Sequence, residues 1–333
     1  MSRGCRSWAR VLALVVLGCL TACQRHPELI VKTTDNHQVR AETIDQDPLA
    51  LLPGGAIGLM AMDVQRLYVS PLGPSVLQLA QRYAPVPTSA NYDPQRDLQR
   101  IYVGFYSMQG ADVAGVAQGT FDPAAIEASA DGVQTTPLGV PVVATSYAGR
   151  NLYLAANLGF VVLTAHTVVF GNETAIRRTL DRIDRGALAR EAPRWALELI
   201  DPLEVPFALA LDFESNPVSA AVRGQIPFTN GLERVRMVGN FESPGVNLAG
   251  TARYGDQALA AQGATNMNDL ERTLRQWSWA AALLGLQQPI RRLEAQPEGA
   301  EVDFVVGLDA AAVAALLGQL SGQLAQPTGG TTP

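Results

Sequence analysis

Ala56-Ile-Gly-Leu-Met-Ala-Met-Asp63 is a short apolar run closed by an aspartate, and Pro206-Phe-Ala-Leu-Ala-Leu-Asp212 is built the same way. Each reads as a strand. Reading outward from both, the chain repeats itself. Leu98-Gln-Arg-Ile-Tyr-Val matches Leu232-Glu-Arg-Val-Arg-Met at an offset of 134 residues, and Val113-Ala-Gly-Val-Ala matches Leu248-Ala-Gly-Thr-Ala at 135. These pairs predict consecutive antiparallel strands joined by turns, at Met108 to Asp112 in one unit and Ser243 to Asn247 in the other. After the first run, Gly73 to Tyr83 carries Val76, Leu77, Leu79 and Ala80 as the apolar face of a helix.

A helix start follows the strand pair in each unit. Asp122-Pro123 is an N-cap with proline at the first helical position, and Asn266 before Met267 and Leu270 fills the corresponding place. In the second unit Leu270, Leu274, Trp277 and Ala281 fall on one helical face; Trp277 is read as core and Trp279 points elsewhere. Each unit then closes with a hairpin and a last helix. Phe160 to Leu163 and Val168 to Phe170 flank the turn Thr164 to Thr167, and Pro289 to Leu293 and Val302 to Val306 flank Gln296 to Ala300. The last helices are capped by Asn172 and Asp309, 137 apart, with Ile176, Leu180 and Ile183 matching Val313, Leu317 and Leu320. The expected fold class is therefore α+β: two similar units, each a mostly antiparallel sheet with helices packed on one face. The first unit spans 48–186 and the second 206–324; Arg190 to Ile200 forms a linking helix within 187–205, and a disordered tail occupies 325–333.

Ahead of the first unit, Arg3, Arg6 and Arg10 precede the apolar segment Val11 to Leu20 and then Leu20-Thr21-Ala22-Cys23. That box resembles the processing signal of bacterial lipoproteins. The resemblance implies that residues 1–22 are a cleaved signal peptide and that Cys23 carries a diacylglycerol and an acylated amine, palmitate-like chains that anchor the protein. Two or more chains make a stable anchor, at roughly 0.8 kcal/mol per buried CH₂. Gln24 rather than Asp after the cysteine is similar to signals for delivery to the outer membrane, facing the periplasm. Residues 23–47 then read as a flexible tether with a relaxed reach of about 25 to 30 Å. The layout of the body is similar to that of duplicated envelope lipoproteins, a likeness that assigns no functional residue except Cys23.

The 333 residues carry a formal charge of −6, and loss of the three leader arginines takes it to −9, which argues against nucleic acid. Lys32 is the only lysine, and Cys5, Cys19 and Cys23 are the only cysteines, so no disulfide holds the body. Leu152 to Phe170 is the longest apolar run after the leader, interrupted by Asn157, Gly159 and His166; it reads as a buried strand pair rather than a membrane span.

Catalytic chemistry finds little footing. His26 and His37 lie in the tether and His166 in a turn, so zinc, thiol and Ser-His-Asp chemistry lack their residues. Asp63 and Asp212 occupy matching strand ends and read as turn residues, with a shared acidic cleft as the sharper alternative. Asp93-Pro94 with Asp97 reads as a turn, and Gly54, Gly55 and Gly58 bend the chain into the first strand without forming a phosphate loop. No enzyme activity, cofactor or metal is expected. The expected role is a lipid-anchored envelope protein that presents its body to a protein partner or another envelope structure. The alternative is binding or transfer of a lipid or other apolar ligand in a cavity between sheet and helices.

Overall fold

The computed structural model describes residues 39–84, 86–107, 112–129, 134–201, 203–276 and 288–324. The leader, Cys23, His26, His37, Trp277, Trp279 and the tail lie outside these residues, as does most of the 108–112 turn.

The apolar runs form β1 (Gly58–Asp63) and β9 (Phe207–Asp212), and they pair with each other. Their antiparallel register centres on Met60 opposite Leu209 and sets Ala61 against Ala208 and Leu59 against Ala210. On one side follow β2 (Leu98–Phe105), β3 (Val113–Gly119), β8 (Thr167–Asn172), β7 (Leu158–Val162), β6 (Arg150–Ala155), β5 (Pro141–Tyr147) and β4 (Gln134–Thr135). On the other lie β10 (Leu232–Asn240), β11 (Gly245–Tyr254), β13 (Glu301–Asp309) and β12 (Ile290–Glu298). The result is one 13-stranded antiparallel sheet, of the expected α+β class.

From the β1–β9 junction, five strands on each side follow the same connection order, and the two sides share finer detail. The β2–β3 pairing slips between Leu98 and Arg100, and the β10–β11 pairing slips between Leu232 and Arg234, at the same offset of 134. Helix α5 (Pro123–Ser129) starts where Asp122 Oδ1 accepts from Ala125 N, and α9 (Gln257–Gln276) where Asp256 Oδ1 accepts from Leu259 N. The partner of Asp122 is thus Asp256, again 134 away, and Asn266 lies inside α9 rather than at its start. Asn266 precedes an apolar stripe, but the helix already runs through Leu259, Ala260 and Ala264, which are small or spaced so that the stripe's beginning is muted.

The remaining helices are α1 (Ala41–Gln46), α2 (Val64–Tyr68), α3 (Gly73–Tyr83), α4 (Pro94–Asp97), α6 (Glu173–Asp184), α7 (Arg194–Ile200), α8 (Ala220–Gln225) and α10 (Ala310–Leu324). Helix α3 has the expected bounds. The linking helix is shorter than expected because Pro193 has a fixed φ and lies at its N-cap. Residues 39–47, expected as tether, are folded: α1 buries Ile44 completely, and Val39 joins the same core.

In the first half helices lie on both faces of the sheet; in the second they lie on one face, the other being covered only beside the junction, by α7. Along β6, β7 and β8, Leu152, Val161 and Val169 face a core closed by α1, α6 and α7. Their neighbours Tyr153, Phe160 and Val168 face a second core under α2 and α5. Strands covered on both faces read as continuous apolar sequence, which accounts for the Leu152 to Phe170 run. That run is three strands rather than the expected pair. The unpredicted turn follows Ala155, where Ala156 takes a positive φ of 55° without being glycine. No helix among the described residues is long and apolar enough to cross a membrane.

Candidate functional site

On the face opposite α6, alternate residues of four strands build an apolar floor. Ile101, Ala117, Val168 and Val162 stand side by side across β2, β3, β8 and β7. The next row runs Val103, Gly115, Phe170, Phe160 and Tyr153. Gly115 is required there: a Cβ on it would lie 2.1 Å from Phe170 Cζ, so the ring rests directly on the β3 backbone. Tyr153 stacks on Phe160 with ring centroids 5.0 Å apart.

Above this floor α3 contributes Val76, Leu79 and Ala80, the approach to α5 contributes Phe121, and α5 contributes Ile126. Between floor and helices lies a cavity of about 420 Å³ that opens to solvent. Every side chain that lines it is aliphatic or aromatic, the one polar side-chain atom being the phenol oxygen of Tyr92. Burial, reinforced by Tyr68, Asp97 and Asp93, pushes the Tyr92 phenol far above its ordinary range, and burial pushes Tyr68 up to about 12. Both phenols are therefore neutral at physiological pH. The cavity offers a ligand hydrocarbon contact and no charge.

The residues singled out in the sequence lie elsewhere. His166 is exposed in its turn, with Nδ1 3.0 Å from the Gly119 carbonyl. Asp63 Oδ1 accepts from Arg66 N at the start of α2, and Asp212 Oδ1 accepts from Glu214 N. Because β1 and β9 are antiparallel, these aspartates stand at opposite ends of the junction, about 20 Å apart by strand rise. They share no cleft. Asp93 caps α4 through Gln95 N, and Asp97 pairs with Arg96. Gly55 takes a positive φ of 82° just before β1, and Gly58 lies in the strand. Among the described residues no group of three His, Cys, Asp or Glu side chains is placed to hold a metal.

Sequence reasoning anticipated a cavity between layers without its residues. The continuous apolar sequence of β7 and β8 does not show which way Phe160, Val168 and Phe170 face, and a void is the space that distant segments leave unfilled.

The structure is similar to TP0453. Crystal form I of that protein aligns with a TM-score of 0.50 at 10% identity, covering 82% of this chain and 96% of that one. Crystal form III aligns at 0.49 with 11% identity over 81% and 97%, and form IV at 0.46 with 12% identity over 81% and 95%. The likeness is one of fold alone. No protein-family model matches the chain, and no curated protein matches it.

Proposed function

We propose that this protein is a non-catalytic, lipid-anchored component of a bacterial envelope that binds a lipid or other apolar ligand in the cavity beneath α3 and α5. Acyl chains on Cys23 hold it at a membrane, in this reading the outer membrane on its periplasmic side. The observation that carries the reading is the 420 Å³ cavity whose lining side chains are apolar but for the Tyr92 phenol. Protein interiors are close-packed, with few voids larger than a water molecule. Apolar side chains that face an open cleft stay in contact with water, at a cost of roughly 25 cal/mol per Å² of apolar surface left unburied. Water is a poor filler, since it needs two to four polar partners and the lining supplies one phenol. A hydrocarbon chain satisfies the site.

One observation favours the interaction reading as well. In the second half, the face of β10, β11, β13 and β12 turned away from α9 is covered only at its junction side, where α7 places Trp195 against Arg234 and Leu199 at the rim. It forms a shallow hollow of about 640 Å³ with Arg236, Thr251, Glu294 and Asp303 around Val238 and Val305. The same face of the first half is covered by α1, α6 and α7.

Native mass spectrometry of the chain from Gln24 onward, which keeps every described residue, tests the proposal. A bound species of a few hundred daltons is expected, and Ala80→Phe, which fills the cavity from α3, is expected to abolish it. Recovery at bare mass overturns the ligand reading; bare mass together with a retained envelope protein moves the function to the uncovered part of the second-half face.

A further inference from the structure

A second hollow of about 390 Å³ lies beside the first. Glu127, Arg150, Asn151, Tyr153 and Val162 line it. The two share a wall: Phe160 borders the apolar cavity and the stacked Tyr153 borders the polar one, while Ile126 and Glu127 stand on their respective sides. Arg150 follows the β5–β6 turn, where Ala148 and Gly149 take positive φ angles of 49° and 69°, the backbone of a two-residue hairpin. It is half-buried, and its Nη1 donates to the carbonyls of Val162 (3.2 Å) and Leu163 (3.4 Å). No carboxylate forms an ion pair with Arg150 among the described residues, and the Glu127 at the rim is exposed. Burial pulls the Arg150 pKa down with no acid acting to offset it. A guanidinium nevertheless stays charged, and two neutral carbonyls compensate a desolvated charge only in part.

We infer that the ligand is an amphiphile with one anionic group, a carboxylate or a phosphate, which binds Arg150 while its hydrocarbon enters the apolar cavity past the Tyr153–Phe160 pair. This inference rests on the cavity reading above and adds the ligand's head. Arginine suits either anion because its planar fork donates two parallel hydrogen bonds.

Titration of the chain from Gln24 onward with palmitate, palmitoyl-lysophosphatidylglycerol, hexadecanol and inorganic phosphate tests it. At least one of the two anionic amphiphiles is expected to bind about tenfold or more tighter than hexadecanol, a margin set by one charge-assisted contact. The preferred one identifies carboxylate or phosphate as the head. Arg150→Gln is expected to erase that margin and leave hexadecanol binding unchanged, while Arg150→Lys retains part of it. Equal binding of hexadecanol and both anions overturns the head-group inference and leaves the cavity reading standing; failure of all three amphiphiles removes the cavity reading itself. Persistence of the margin in Arg150→Gln, or binding of inorganic phosphate alone, also overturns the inference. Should Arg150→Gln lose hexadecanol too, the wild-type comparison still decides.

Discussion

The carboxylate of Asp45 accepts hydrogen bonds from the hydroxyls of Thr164 (2.5 Å) and Thr167 (2.6 Å), 119 and 122 residues further along the chain. The backbone carbonyl of the same residue accepts from Gln118 Nε2 at 2.8 Å. These contacts tie α1 to the β7–β8 turn and move the start of the folded body back to Val39. In the sequence Asp45 is one more polar residue of a mixed-charge stretch, since its partners are brought to it only by the sheet. The consequence for Cys23 is geometric: fifteen residues lie between it and Val39, a span of about 55 Å at full extension. If Cys23 is the acylated residue, Cys23→Ser is expected to leave the signal uncut or release the protein from the membrane fraction. Normal processing and retention of that variant would refute the anchor.

At the level of elements, the clearest contrast is between helix starts. Asp122 and Asp309 are legible as caps because each stands directly before its first helical turn, and both accept a backbone N–H three residues on. Asn172 also precedes its helix, yet its Oδ1 accepts from Val113 N across the sheet at 3.3 Å and caps nothing. Helix α9 was harder to place. Its first two turns are alanine-rich and present little apolar stripe, so its apolar signal gathers near Asn266, whereas the cap is Asp256. Asp256→Ala is expected to cost about 1 kcal/mol of stability, and Asn266→Ala to change it by less than about 0.5 kcal/mol. Denaturant midpoints of the two variants measure this, and the reverse order would restore the start at Asn266.

For the molecule as a whole, the decisive contact is the pairing of β1 with β9. It merges two sets of strands that share connection order and the same bulge into one sheet, with Ala61 and Ala208 both fully buried at the seam. We propose that the chain arose by duplication of the five-strand set, the first half adding β4 to β6. Because α7 seals the junction, with Ala196 and Ile200 in the first-half core alongside Ala208 and Ala210, the halves are expected to unfold together. Calorimetry of the chain from Gln24 onward should show one transition, and Ala61→Asp, which buries an unpaired charge at the seam, should lower it as a unit by about 3 kcal/mol or more. Two transitions, only one of them shifted, would show the halves to be independent.

The amino-acid sequence alone determined the features that depend on near neighbours: the apolar runs of β1 and β9, the β2–β3 strand pair, the bounds of α3, the Asp122 and Asp309 caps, and the absence of cysteine from the body. Tertiary structure decided how these parts were used. It joined two edges that would each have remained open, covered both faces of β6 to β8, and placed Arg150 beside an apolar void bounded by α3, α5 and four strands. The physical reason is that a strand's pattern specifies which side chains turn inward, while the volume left between layers depends on side chains from several distant segments at once. Pairing, coverage and empty space are properties of that sum.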